Sequence, residues 1–295
     1  MSTVLPAIKA LGTVWWIEIF DDISEEKAEA VYDGLGFFIT TFENKLSRFK
    51  PDSLVGQLNQ NHTLTTTDPD FNFLIHESQR LFLETNGLFN ILLGKILENI
   101  GYDQNYSFIP KNQNQPPDFP NLTTDLKITG DTFKLTKGHL DLGGIGKGYL
   151  IDLIAQKLQT EYDLKFFLIN GGGDMYATSD HGQPIAIYLE HPIKTDTFLK
   201  TTTLKNQGFA ASSPHKRRWK IKDQTFSHII NPEKTGLIAD GSFIKSDTSA
   251  LEADVFATIA LIAPLPDFKL LAQNRHFRWA LLFSNAQKAL NLHNF

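Results

Sequence analysis

With 295 residues, 41% hydrophobic and 21% charged, and a net charge of −5, the chain can bury a substantial core. These values exclude a disordered chain and a basic nucleic-acid-binding surface. The absence of cysteine excludes disulfides, thiolate metal sites, cysteine nucleophiles and cysteine-linked lipids. Met1 to Leu11 lack the apolar run of a signal peptide, and no 18-residue apolar stretch follows. The expectation is a cytoplasmic, soluble protein without a membrane anchor, forming a single domain over 1–295.

Along the chain, strands and helices alternate without a repeat. Thr13 to Ile19 is β-branched and aromatic, the signature of a first strand. Asp22 with Glu25 resembles a capping box and opens a helix towards Leu46, despite Gly34 and Gly36. From Asp70, the spacing of Leu74, Ile75, Leu81 and Phe82 predicts a helix stopped by Asn86-Gly87. Residues 104–121 are rich in Asn, Gln and Pro and read as an irregular surface excursion. Gly148 to Leu158 reads as a helix, Phe166 to Ile169 as a buried strand entering Asn170-Gly171-Gly172-Gly173-Asp174, and Ile185 to Leu189 as another strand. Ser249 and Glu252 cap a helix, and Trp279 to Phe283 is a late strand. Long β-rich stretches between a few helices imply an α+β fold of mixed, largely antiparallel sheets with packed helices.

Two segments carry the chemistry. Asp141-Leu142-Gly143-Gly144-Ile145-Gly146-Lys147-Gly148 has an acid at one end, a lysine near the other and bare backbone between. Asp254 and Thr258 stand four residues apart, which on a helix puts both oxygens on one face. Carboxylate, hydroxyl and carbonyl oxygens are what Mg²⁺ takes as ligands beside phosphate, so a metal-assisted reaction on a phosphate is the leading reading. Each feature has a plainer alternative. Asp254 and Thr258 also suit a helix acid and a back-bonding threonine. The glycine run fits neither nucleotide fingerprint, because Gly148 follows Lys147 where a Walker loop needs Ser or Thr. Gly171 to Asp174 also suits a tight turn, Lys216 to Trp219 a solvated cationic turn, and His228 a structural histidine.

Taken in order, Leu46 to Ser53 with Leu58-Asn59, Asp141 to Asp152, Leu168 to Asp174, Gly208 to Ser213, Ser227 to Gly236 and Glu252 to Thr258 resemble the FAD:protein FMN transferases, the ApbE-type flavin transferases. The resemblance spans Gly12 to Phe283 and is most specific at the Asp141 and Asp254 motifs. It implies that FAD is the substrate, that Mg²⁺ is required, and that the FMN half moves to a threonine or serine of an acceptor protein, releasing AMP. It makes Asp254, Thr258 and the Gly144 backbone metal ligands. Leu11, Phe49, Leu88, Phe89, Asn90, Asp141, Lys147 and Ile230 become FAD contacts, and His228 the base for the acceptor hydroxyl. A histidine ordinarily titrates near about 6.5, suited to that task at neutral pH.

The chain departs from the family pattern at four positions. Asn90 and Asn231 stand where aspartates are usual, Ala211 where threonine is common, and Ala257 where some members have a second acid. Each Asp-to-Asn change exchanges a charge-assisted hydrogen bond, worth about 1.5–3 kcal/mol, for a neutral one of about 1 kcal/mol. Two further readings stay open: an FAD pyrophosphatase that uses water as nucleophile, and an FAD-binding protein with weak catalysis.

Overall fold

The computed structural model describes residues 2–104, 107–111, 118–180, 182–194, 196–215, 217–221, 224–232, 236–275, 277–283 and 288–295. Parts of the 104–121 excursion, Lys216 in the cationic segment and residues 233–235 in the Ser227 to Gly236 motif lie outside them. In chain order come β1 (Thr3–Val4), β2 (Ile8–Ala10), β3 (Thr13–Ile19), α1 (Glu25–Leu46), α2 (Leu54–Asn61), β4 (Thr63–Thr65), α3 (Pro69–Glu84) and α4 (Gly94–Asn99). Next are α5 (Leu122–Asp125), β5 (Leu126–Thr129), β6 (Thr132–Leu135), α6 (Gly146–Thr160), β7 (Phe166–Gly171), β8 (Met175–Ser179), β9 (Ile185–Glu190) and β10 (Phe198–Leu204). The chain ends with β11 (Gln207–Ser212), β12 (Arg218–Ile221), β13 (Gln224–Ser227), β14 (Gly241–Ser246), α7 (Ala250–Ile262), α8 (Leu265–Arg275), β15 (Arg278–Phe283) and β16 (Lys288–Leu290). Among the described residues no helix is long and apolar enough to cross a membrane.

The chain divides into two compact units. The first comprises Met1–Thr41, Ile145–Lys216 and Leu237–Phe295. Its main sheet runs β1-β3-β7-β8-β11-β14-β15-β16, with β2 paired to β3 and every pairing antiparallel. Alternation places Trp15, Ile17 and Ile19 of β3 fully in the core, each contributing about 1.5–3 kcal/mol of burial. The β9–β10 hairpin lays Ile185, Ile187, Leu189 and Leu204 against Phe209, Phe243 and Ala280 of this sheet. Between β2 and β3, Leu11 (φ 50°) and Gly12 (φ 67°) form a two-residue turn with both central residues left-handed. That conformation is strained for a leucine.

Helix α7 is buried all round, twelve of its thirteen residues being inaccessible, so it sits inside the unit rather than on its surface. Its start is fully capped. Ser249 Oγ accepts the Glu252 N–H (3.0 Å), while the Asp152 carboxylate on α6 accepts the Ala250 and Leu251 N–H groups at 2.7 and 3.0 Å. The Glu252 side chain does not complete a capping box; it accepts from Thr248 (2.7 Å) and Arg275 (3.0 Å) instead. Two glycines let α7 approach this closely. A Cβ on Gly148 would lie 2.6 Å from the Ala250 carbonyl oxygen, and one on Gly208 2.3 Å from that of Ser249.

The second unit comprises Phe42–Gly144 and Arg217–Gly236. It holds a β4-β6-β5 sheet and the β12–β13 hairpin. Helix α3 is capped by Asp68, whose side chain accepts the Phe71 N–H (2.9 Å). It ends as expected, with Asn86 (φ 51°) and Gly87 (φ 87°) both left-handed. One expectation needs correction: α1 begins at Glu25, and its cap is Ser24, whose Oγ accepts the Lys27 N–H at 3.2 Å, rather than Asp22. Serine and aspartate are both good caps, and sequence spacing does not separate them.

Candidate active site

In the first unit, three charged side chains converge from separate elements. Lys147, in the first turn of α6, reaches Asp174 at the end of the Asn170–Asp174 turn and both oxygens of Asp254 on α7, the latter at 3.3 Å. Asp254 also accepts the Gly148 N–H at 3.0 Å. The backbone N–H of Ala211 faces Asp174 and favours its ionised form. Both acids are nearly inaccessible, with 5% and 6% exposure for Asp174 and Asp254, so paired charge here sits in a poorly screened setting.

Burial alone would lower the Lys147 ammonium's pKa, but the facing Asp174 and Asp254 carboxylates outweigh it and hold the lysine charged, well above its ordinary value. Two acids share that one cation. Burial first, and then the charge of Asp254, push Asp174 up to about 6 against the pull of Lys147. Thr258 lies half-buried one turn beyond Asp254 on α7, as the four-residue spacing requires. This donor set, carboxylate and hydroxyl oxygen with no sulfur or imidazole, suits a hard cation such as Mg²⁺.

The second unit gathers another set of expected residues. Phe49 and Ile230 pack on a cluster of Leu97, Tyr102 and Trp219. The His228 ring centre is 6.2 Å from that of Tyr102, which also stacks with Trp219 at 6.2 Å. The His228 Nδ1 lies 3.5 Å from the Arg217 carbonyl oxygen, at the limit of a hydrogen bond. The Arg48 guanidinium lies over the Phe49 ring (4.1 Å) and donates to Asp141 Oδ2 (2.7 Å) and the Tyr102 carbonyl (2.8 Å). The other Asp141 oxygen accepts the Gly143 N–H at 2.6 Å. Asp141 is therefore set in place by a buried arginine and by its own glycine loop.

Leu88, Phe89 and Asn90 follow the end of α3, where Thr85 Oγ1 accepts the Phe89 N–H (3.0 Å). A Cβ on Gly144 would meet only the Phe89 ring, at 3.7 Å, so the Gly144 backbone is nearly bare. Asn90 uses both halves of its amide: Oδ1 accepts the Leu92 N–H (2.9 Å) and Nδ2 donates to the Pro120 carbonyl (2.8 Å). Asn231 likewise donates to the Gly236 carbonyl at 2.7 Å. Neither donation is open to an ionised aspartate, so the two asparagines are fitted to their surroundings.

Within its unit, each set is brought together: Lys147 with Asp254, and Phe49 with Ile230 and His228. Sequence reasoning alone assigns no role to Asp174, Arg48, Tyr102 or Asp152. Each except Tyr102 falls inside one of the family-like motifs, which is the available signal. Trp219, expected in a cationic turn, is a buried member of β12.

Comparison with known proteins gives a consistent picture. Residues 11–282 match the model of the ApbE family. A protein of Haemophilus influenzae named FAD:protein FMN transferase is 26% identical over 247 residues, 77% of this chain and 70% of that protein. A protein of the same name from Escherichia coli K12 is 20% identical over 85% of this chain and 75% of its own. Among solved structures, the ApbE protein from Thermotoga maritima superposes with a TM-score of 0.84 at 18% identity, covering 98% of this chain and 96% of that one. The flavin transferase ApbE from Vibrio cholerae gives 0.79 at 18% identity, with the same coverage. At such identities the structural likeness speaks for the fold, an α+β arrangement of antiparallel sheets and helices.

Proposed function

Because this chain belongs to the ApbE family, we propose that it is an FAD:protein FMN transferase, moving the FMN half of FAD to a threonine or serine hydroxyl of an acceptor protein and releasing AMP. The observation that carries this reading is the Lys147–Asp174–Asp254 cluster: a cation held charged between two inaccessible acids, with a hydroxyl one turn away. Asp254 and Thr258 would hold Mg²⁺, to which the family resemblance adds the Gly144 carbonyl. When bound, that ion supplies Lewis-acid polarisation of the pyrophosphate.

The chain's own residues do the rest. Lys147 keeps a fixed positive charge that offsets charge building on phosphate oxygens. The Gly143 N–H is taken by Asp141, but the nearly bare backbone at Gly144 lets a phosphate approach without a side chain in the way. Arg48 orients Asp141 towards its role as an FAD contact, and Leu11, Phe49, Leu88, Phe89, Asn90 and Ile230 supply the remaining contacts. His228 takes the acceptor's proton. The acceptor oxygen bonds to the FMN phosphorus, the bond from that phosphorus to the AMP oxygen breaks, and AMP leaves with the electron pair.

The test is incubation with FAD and Mg²⁺, with and without threonine-containing peptides. Flavin fluorescence that stays on the peptide in a denaturing gel supports transfer. AMP released equally without any peptide would make the protein a pyrophosphatase, and unchanged bound FAD would make it a binding protein.

A further inference from the structure

A cavity of about 350 Å³ opens in the first unit, lined among others by Trp16, Gly173, Tyr188, Glu190, Ala211 and Ser212. It lies where β3, the Asn170–Asp174 turn, β9 and β11 meet. We propose that this cavity receives the hydroxyl-bearing segment of the acceptor protein, an inference that rests on the transferase reading above.

Four observations favour that occupant. The cavity lies beside the charged cluster, because Gly173 lines it while Asp174, next in the chain, holds Lys147. A chain lying there runs along the turn that ends in Asp174, one residue from the Lys147 contact. Its volume is at the low end for small-molecule sites and too small to enclose a whole dinucleotide. Its mouth carries large exposed aromatics: Trp16 is 51% and Tyr188 62% exposed, and Phe198, 61% exposed, packs its ring 5.4 Å from Tyr188. Tryptophan and tyrosine are the side chains that most often anchor protein partners. Finally, Gly173 has φ 107° and a Cβ built there meets nothing within 4 Å, leaving bare backbone open to an approaching chain.

The probe is a pool of synthetic nonapeptides with a central threonine and randomised flanks, incubated with the full chain, FAD and Mg²⁺ and sorted by flavin fluorescence. The best-labelled peptide then serves for kinetics with Trp16→Ala and Tyr188→Ala, with Leu270→Ala, an exposed residue of α8, as control. The expected result is a KM for peptide raised about tenfold by each alanine change, with FAD affinity by calorimetry within twofold of the parent. Leu270→Ala should change nothing. The exposed positions of Trp16 and Tyr188 keep loss of folding from mimicking the effect. Unchanged peptide KM in both alanine variants overturns the cavity assignment alone. Loss of FAD affinity assigns the cavity to FAD and overturns it as well. If the parent labels no peptide while consuming FAD, the transferase reading fails and takes this inference with it.

Discussion

Replacing Asp152 by alanine removes both acceptors at the start of α7. The Ala250 and Leu251 N–H groups, bonded at 2.7 and 3.0 Å, would be left facing buried surroundings. Stranding a buried donor costs about 1–3 kcal/mol, so two cost about 2–4 kcal/mol after partial relaxation. The pH dependence adds a signature. Burial pushes the Asp152 carboxyl up to about 6, against the two backbone bonds that pull it down, and the charge of Asp254 adds to the rise. The unfolded group ionises near about 4, so between about 4 and 6 the native state binds more protons. This group's contribution to stability therefore falls as pH rises through that window and is level above it. Urea unfolding of parent and variant at pH 4.5 and 7.5 should show a deficit of about 2–4 kcal/mol at neutral pH. The deficit should be larger at 4.5. Transfer should fall as well, since α7 carries Asp254. A deficit below about 0.5 kcal/mol at both pH values, or one that widens with rising pH, would refute the capping role.

Asp254→Asn keeps the side chain's size but not its charge, so Mg²⁺ titration of transfer should require more metal and show turnover falling far more than FAD affinity. Identical metal dependence in parent and variant would remove Asp254 from the metal site. His228→Ala should slow transfer about 10²–10⁴-fold with FAD binding nearly intact, measured by stopped-time gel fluorescence beside calorimetry. A parental rate would make the histidine structural. Asn90→Asp, although it restores the family's usual residue, should lose about 1–3 kcal/mol in a thermal or urea melt, because it sets a carboxylate against the Pro120 carbonyl. A gain in stability would contradict the role of the Asn90 amide as a donor to that carbonyl.

The elements that alternate or cap strongly are legible in the sequence. β3 follows from its β-branched and aromatic content, β7 from the apolar run Phe166 to Ile169, and α7 from Ser249 followed by an apolar run. What escapes is long-range pairing. That Lys147 grips Asp174 as well as Asp254, or that Arg48 orients Asp141, depends on which strands neighbour one another, and no local pattern encodes that. Asn90 is misread for a related reason. Taken alone it is an aspartate that has lost its charge; beside the Pro120 carbonyl it is a donor that an aspartate could not replace.

The two glycines flanking the start of α7 bear on how such a site changes over generations. Gly148 and Gly208 bring backbone against backbone, with no side chain between to shrink, grow or turn. Drift elsewhere in a core is absorbed by repacking neighbouring side chains, but here no rotamer can take up an added methyl. Most single substitutions at either position would displace the helix bearing Asp254 and Thr258. Variation is therefore channelled to exposed loops, where residues can change while Asp254 and Thr258 stay where they are.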